Sequence, residues 1–128
     1  MSLKNSLRVL VVDDMAGSRG LMVNTLDNLG IKNVFQENGA DQALSFILKH
    51  PVHLIMADYH MPGKDGLDLL SAVRANAQTK RTGFILVSGT ADPEVVNRGK
   101  GLGMNNFIAK PFTPEKTKNA IERVVGRI

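Results

Sequence analysis

Five short apolar runs alternate along the chain with longer stretches whose apolar residues recur at helical spacing. The runs are residues 7–12, 34–37, 54–57, 84–87 and 107–109. Several are apolar at every position, as strands covered by helices on both faces of a parallel sheet must be. Between the first two runs, Met22, Leu26 and Leu29 stand at i, i+4 and i+7 and are followed by Gly30. That pattern predicts a helix closed by a left-handed residue. Leu44, Ile47 and Leu48 mark a second helix, Leu67, Leu70 and Val73 a third, and Ile121, Val124 and Val125 a fifth. Thr113-Pro114-Glu115 opens the fifth with an N-cap hydroxyl, a proline at the first helical position and an acid at the positive end of the dipole. The fourth helix, residues 93–102, carries Gly99 and Gly101 in its second half. Each glycine costs about 1 kcal/mol relative to alanine, so its last turns are expected to fray.

Strands and helices in strict alternation imply right-handed crossovers and a doubly wound α/β sheet. In such sheets ligands bind at the carboxyl ends of the strands, where the winding direction reverses. The 128 residues suit one domain, expected to span residues 1–128 with its core over about 7–127 and no output domain after it. A hydrophobic share of 43% beside 22% charged residues is that of a globular protein rather than a disordered one. No linker, low-complexity tract or repeat interrupts the alternation.

The absence of cysteine excludes disulfides, thiolate metal sites and cysteine nucleophiles. With no export signal and no apolar stretch near the ~20 residues that cross a bilayer, a cytoplasmic location without membrane attachment is expected. The net charge of +4 is concentrated after position 97, where Arg98, Lys100, Lys110, Lys116, Lys118, Arg123 and Arg127 face only Glu115 and Glu122. Such a surface is either a solvated helix face or a patch for an acidic partner. Few aromatics and no nucleic-acid motif accompany it, so direct nucleic-acid binding is not expected.

Polar reactive groups follow four of the five runs: Asp13 and Asp14, then Asp58, then Ser88, Gly89 and Thr90, then Lys110 before Pro111. A single aspartate after a strand often serves only as a helix cap. Three carboxylates at one sheet edge, however, repel each other unless a cation or a proton compensates. Oxygen-only ligands point to Mg²⁺, with Mn²⁺ an acceptable substitute. His60 reads as a loop residue rather than an imidazole ligand in so hard a site. Aspartates around a metal, with a lysine and a hydroxyl nearby, suit a phosphoryl group. A carboxylate is ionised at neutral pH and needs no base to act as nucleophile, and Asp58, alone on its strand, is the candidate. A phosphatase of the haloacid-dehalogenase kind also uses aspartate and Mg²⁺. It calls for an Asp-x-Asp pair after the first strand, whereas Asp13 and Asp14 are adjacent.

These residues resemble the receiver domains of two-component response regulators, and among them the single-domain chemotaxis (CheY-like) type. The likeness spans nearly the whole chain. It rests on Val11-Val12-Asp13-Asp14, on Met56-Ala57-Asp58 with Met61-Pro62-Gly63-Lys64-Asp65-Gly66 after it, on Val87-Ser88-Gly89, and on Phe107-Ile108-Ala109-Lys110-Pro111-Phe112. The resemblance implies a flavodoxin-like (βα)5 fold, a five-stranded parallel sheet of order 2-1-3-4-5 with helices on both faces. It implies Asp58 as phosphoacceptor, Asp14, Asp58 and the backbone carbonyl of His60 as Mg²⁺ ligands, and Asp13 acting mainly through bound water. Lys110 is then the partner of the phosphoryl group, Ser88 the switch hydroxyl, and Phe107 the aromatic that follows it. His60, Gly89 and Thr90 border the phosphoryl group. The Lys110–Pro111 bond is expected to be cis, unlike most such bonds. The implied role is a switch, not a turnover enzyme. A sensor histidine kinase or phosphotransfer protein supplies the phosphoryl group, and a downstream protein reads the surface of the fourth helix, fifth strand and fifth helix.

Overall fold

The apolar runs become β1 (Arg8–Val12), β2 (Asn33–Glu37), β3 (Leu54–Asp58), β4 (Gly83–Ser88) and β5 (Asn106–Ala109). The stretches between and after them become α1 (Ala16–Asn28), α2 (Ala40–Lys49), α3 (Gly66–Ala75), α4 (Pro93–Gly101) and α5 (Pro114–Val125). This computed structural model describes residues 5–89, 92–111, 113–126 and 128. Thr90, Phe112 and Arg127, named in the sequence reading, lie outside the described residues.

The strands form one parallel sheet in the order β2-β1-β3-β4-β5, the flavodoxin-like receiver fold. Alternate residues of each strand feed opposite faces. Leu10, Val12, Ile55, Ala57, Phe84 and Leu86 pack with α2 and α3 on one side. Val9, Val11, Leu54, Met56, Ile85 and Val87 pack with α1 and α5 on the other. Both faces are dry, which is why β3 and β4 are buried at every position and read as unbroken apolar runs. The winding reverses between β1 and β3, so their carboxyl ends flank the switch point of the sheet.

The helix ends follow the sequence signals. Gly30 is left-handed at φ 84°, and the Ile31 N–H donates to the Leu26 carbonyl at 3.1 Å. Thr113 Oγ1 accepts the Lys116 N–H at 3.2 Å. Leu48 departs from expectation, being 39% exposed while Ala40, Ala43 and Ile47 are buried. The inward stripe of α2 runs through 40, 43 and 47, and Leu48 lies 100° round the helix from Ile47. In α4, Gly99 is buried, and an added Cβ there would stand 2.8 Å from Met104 Sδ, whereas Gly101 faces open space. Among the described residues no helix is long and apolar enough to cross a membrane.

Candidate functional site

β1 and β3 are neighbours with Val12 opposite Ala57, so the residues that follow, Asp13 and Asp58, emerge side by side. Both are buried, and Asp14 is the more open of the three carboxylates. One oxygen from each of Asp13, Asp14 and Asp58 lies within 4.8 Å of the others. Lys110 arrives from β5, two strands away, where its N–H donates to the Ser88 carbonyl at 2.7 Å and its bond to Pro111 is cis. Its Nζ donates to Asp58 Oδ1 at 2.7 Å and to Ser18 Oγ at 2.9 Å, and stands 3.9 Å from Asp13 Oδ2.

Asp13 is pinned on two sides. Its Oδ1 accepts the Met15 N–H at 3.0 Å, and its backbone carbonyl accepts from Arg19 Nη1 at 2.7 Å. The carboxylate thus satisfies an N–H at the start of α1, where Met15 offers no side-chain cap. Its other oxygen, Oδ2, is buried with no hydrogen-bond partner among the described residues. Three carboxylates against one ammonium leave negative charge unmatched at this edge. The orphaned Asp13 oxygen and the all-oxygen donor set together fit a hard divalent cation.

Burial pushes the Asp58 carboxyl above its ordinary pKa, a trend opposed by the hydrogen bond and charge of Lys110 and reinforced by the charge of Asp13. Behind Asp58, the capping box of α3 fixes the next helix: Asp68 N–H donates to Asp65 Oδ1 at 2.9 Å and Asp65 N–H to Asp68 Oδ2 at 2.8 Å. This cap presses Gly66 onto the end of β3, where a Cβ would stand 2.6 Å from the Asp58 carbonyl oxygen. Between them, residues 59–65 turn outward with Gly63 left-handed at φ 75° and the His60 ring edge-on to Tyr59.

Of the residues singled out from the sequence, Asp13, Asp14, Asp58 and Lys110 converge. Ser88 is buried at the end of β4, next to the strand that ends in Asp58, and Gly89 follows it. Phe107 is half-buried on β5 against the core beneath α2 and α3. Sequence reasoning missed Ser18 and Arg19, which carry no motif of their own. Only their place in the first turn of a helix that follows Asp13-Asp14 hints at them.

A parallel sheet of this order, with an acid cluster and a lysine at its carboxyl edge, defines a receiver domain. Residues 9–122 match the family model of the response regulator receiver domain, and the chain belongs to that family. Among the proteins it is similar to are chemotaxis proteins of about its own length. It is 41% identical over 128 residues to the probable chemotaxis protein CheY of Rhizobium etli, covering 100% of this chain and 99% of that protein. It is 30% identical over 122 residues to the chemotaxis protein CheY of Pseudomonas aeruginosa, covering 95% and 98%. The solved structure of Vibrio cholerae CheY4 matches with a TM-score of 0.86 at 30% identity, covering 92% of this chain and 98% of that one.

Proposed function

We propose that the protein is a phosphorylation-activated switch of a two-component system, in which Asp58 accepts a phosphoryl group from the phosphohistidine of a sensor kinase or phosphotransfer protein. The observation that carries this reading is the Lys110 ammonium 2.7 Å from the buried Asp58 carboxylate, at the edge where Asp13 and Asp14 gather. A carboxylate oxygen of Asp58 forms the P–O bond as the P–N bond to the donor imidazole breaks, and the imidazole nitrogen leaves with the electron pair. Lys110 holds the phosphoryl oxygens by charge and hydrogen bond. Asp14, Asp58 and the backbone carbonyl of His60 would hold Mg²⁺ (or Mn²⁺), and Asp13 would act mainly through bound water. Bound there, the ion neutralises the negative charge of the transferring oxygens.

Water attack on the acyl phosphate later regenerates the carboxylate and releases phosphate, with His60, Gly89 and Thr90 setting the pace as neighbours of the phosphoryl group. The chain is therefore modified and reset rather than turning over a substrate. Ser88 answers the new charge and Phe107 follows, altering the surface of α4, β5 and α5 for a downstream protein. The basic residues Lys116 and Lys118 on α5 suit a partner with acidic character. The relatives' designation as chemotaxis proteins favours motility as the pathway, and a cytoplasmic site of action goes with it.

The test is incubation with Mg²⁺ and acetyl phosphate or beryllofluoride, read by intact mass and amide NMR against Asp58→Asn. Wild type acquires an adduct and the variant does not. An adduct that persists in Asp58→Asn overturns the assignment. Charge reversal at Lys116 and Lys118 is expected to weaken partner capture and leave phosphorylation intact.

A further inference from the structure

Lys110 needs more than its carboxylate to stay in place. Its side chain is 28% exposed, and beside it Leu21, Thr25, Gly89 and Pro111 line a groove into which a loosely held ammonium has room to swing. A lysine side chain carries about 2 kcal/mol of rotamer entropy, and its ammonium is a compact charge without the fixed fork of arginine. Asp13 Oδ2, at 3.9 Å, attracts the ammonium but is beyond hydrogen-bond length. The second short hydrogen bond goes to Ser18 Oγ at 2.9 Å.

Ser18 is well placed to serve as an anchor. It lies in the first turn of α1, and that turn is tied to the acid cluster through the Met15 N–H on Asp13 Oδ1 and the Arg19 guanidinium on the Asp13 carbonyl. The hydroxyl position is therefore registered to the same residue that shapes the acceptor site. A hydroxyl also holds an ammonium without adding charge. A carboxylate at this position would put a fourth negative group beside Asp58 and compete with the acceptor for the lysine.

We infer that Ser18 is a positioning residue that fixes Lys110 Nζ over Asp58 for phosphoryl transfer. The inference rests on the reading of Asp58 as the acceptor. Ser18 touches neither donor nor phosphoryl group. It acts through Lys110, by removing the reorientation that an unanchored ammonium would need before it can meet the transferring oxygens. A defect of this kind appears in the maximal rate rather than in donor or metal affinity.

The experiment follows adduct formation over time by intact mass, at varied acetyl phosphate and varied Mg²⁺, for wild type, Ser18→Ala, Ser18→Cys and Ser18→Thr. Ser18→Ala and Ser18→Cys are expected to lower the rate at saturating donor about three- to ten-fold, the worth of one hydrogen bond realised in the transition state. The donor concentration at half-maximal rate and the Mg²⁺ requirement stay unchanged, and Ser18→Thr restores the rate to within about two-fold. The cysteine variant keeps the shape of serine with a poor acceptor, so it gives the answer even where the alanine variant folds badly. Equal rates for wild type, Ser18→Ala and Ser18→Cys overturn the inference while leaving Asp58 as acceptor. So does a threonine variant as slow as alanine, or a change confined to donor or metal affinity. Absence of any adduct in wild type overturns the reading of Asp58 and this inference with it.

Discussion

Lys110 spans the width of β4 to put its ammonium 2.7 Å from Oδ1 of Asp58, joining the last strand of the sheet to its middle. The same ammonium opposes whatever cation the acid cluster holds. Lys110→Ala is therefore expected to act in two directions. Adduct formation from acetyl phosphate falls about 100-fold, the usual loss when a charged donor to transferring oxygens is removed. Mg²⁺ binding, followed by calorimetry, tightens, because one positive charge has left its surroundings. Weaker Mg²⁺ binding in this variant would show that the lysine organises the carboxylates rather than competing with the ion.

The pH dependence of stability follows from Asp58. Burial raises its carboxyl pKa above the ordinary value, so the folded protein holds that proton more tightly than the unfolded chain does. The stabilisation is complete below the unfolded pKa, near 3.9, and is lost as pH rises through the higher folded value. At pH 7 without metal, ionised Asp58 thus costs stability that an amide does not. Asp58→Asn should melt higher than wild type in EDTA at pH 7, and the difference should shrink toward zero as pH approaches 4. A variant that melts lower at pH 7 would mean that its ion pair with Lys110 outweighs desolvation.

Metal should reverse that order. An ion that binds only the folded state stabilises it by RT ln(1 + [L]/Kd), about 2.7 kcal/mol at a hundred-fold excess over Kd. Mg²⁺ is expected to raise the melting temperature of wild type and EDTA to return it. Asp13→Asn and Asp14→Asn lose most of the rise, and Asp58→Asn falls below wild type once Mg²⁺ is saturating. Differential scanning fluorimetry over a Mg²⁺ series measures all four proteins.

The strands were legible because a doubly covered parallel sheet demands continuous apolar runs, and the four polar strand ends were legible because the winding places chemistry there. Side-chain orientation within a helix was less so. Leu44, Ile47 and Leu48 are equally apolar, and nothing local says that Ala43 turns inward while Leu48 turns out. Ser18 was invisible for a different reason. Its partner is 92 residues away, and a serine in a first helical turn has an ordinary local role as well. Gly66 closes the motif of residues 61–66, but its close approach to β3 exists only once α3 is docked.

Two glycines separate tolerable from intolerable crowding. A Cβ at Gly66 meets the Asp58 carbonyl oxygen at 2.6 Å and Leu86 Cδ1 at 2.7 Å, and the first of these is backbone of the proposed acceptor. Gly66→Ala is expected to cost about 1–3 kcal/mol and to slow adduct formation, since β3 or the α3 cap must shift. At Gly99 the nearest atom is Met104 Sδ at 2.8 Å, the far end of a flexible side chain. Gly99→Ala also gains about 1 kcal/mol of helix propensity, so its net effect on urea unfolding should be small. Equal losses for the two variants would mean that Met104 is locked in place.

Arg74, at the end of α3, holds three segments together without a carboxylate partner among the described residues. Its Nη1 donates to the carbonyls of Thr82 at 2.6 Å and Lys80 at 3.1 Å, just before β4. Its Nε and Nη2 donate to the Gly103 carbonyl at 3.1 and 2.9 Å, and Nη2 also to Asn105 Oδ1 at 2.9 Å. Asn105 Oδ1 in turn accepts the Phe84 N–H at 2.8 Å, so the guanidinium ties the turn after α4 to the start of β4. Burial lowers its pKa, yet an arginine remains charged throughout the working range. Several acceptors arranged around one planar group cannot be matched by the point charge of lysine. Arg74→Lys should therefore recover little of what Arg74→Met loses, and both should destabilise by about 1–2 kcal/mol in urea because several hydrogen bonds are lost at once, the part-buried one to the Thr82 carbonyl among them. Amide exchange then locates the damage: protection falls at Leu102, Gly103 and Met104 and at Phe84, while the amides of β1 and β3 around Asp58 keep theirs. Uniform loss of protection across the sheet would instead mean that Arg74 supports the whole core and not this clasp.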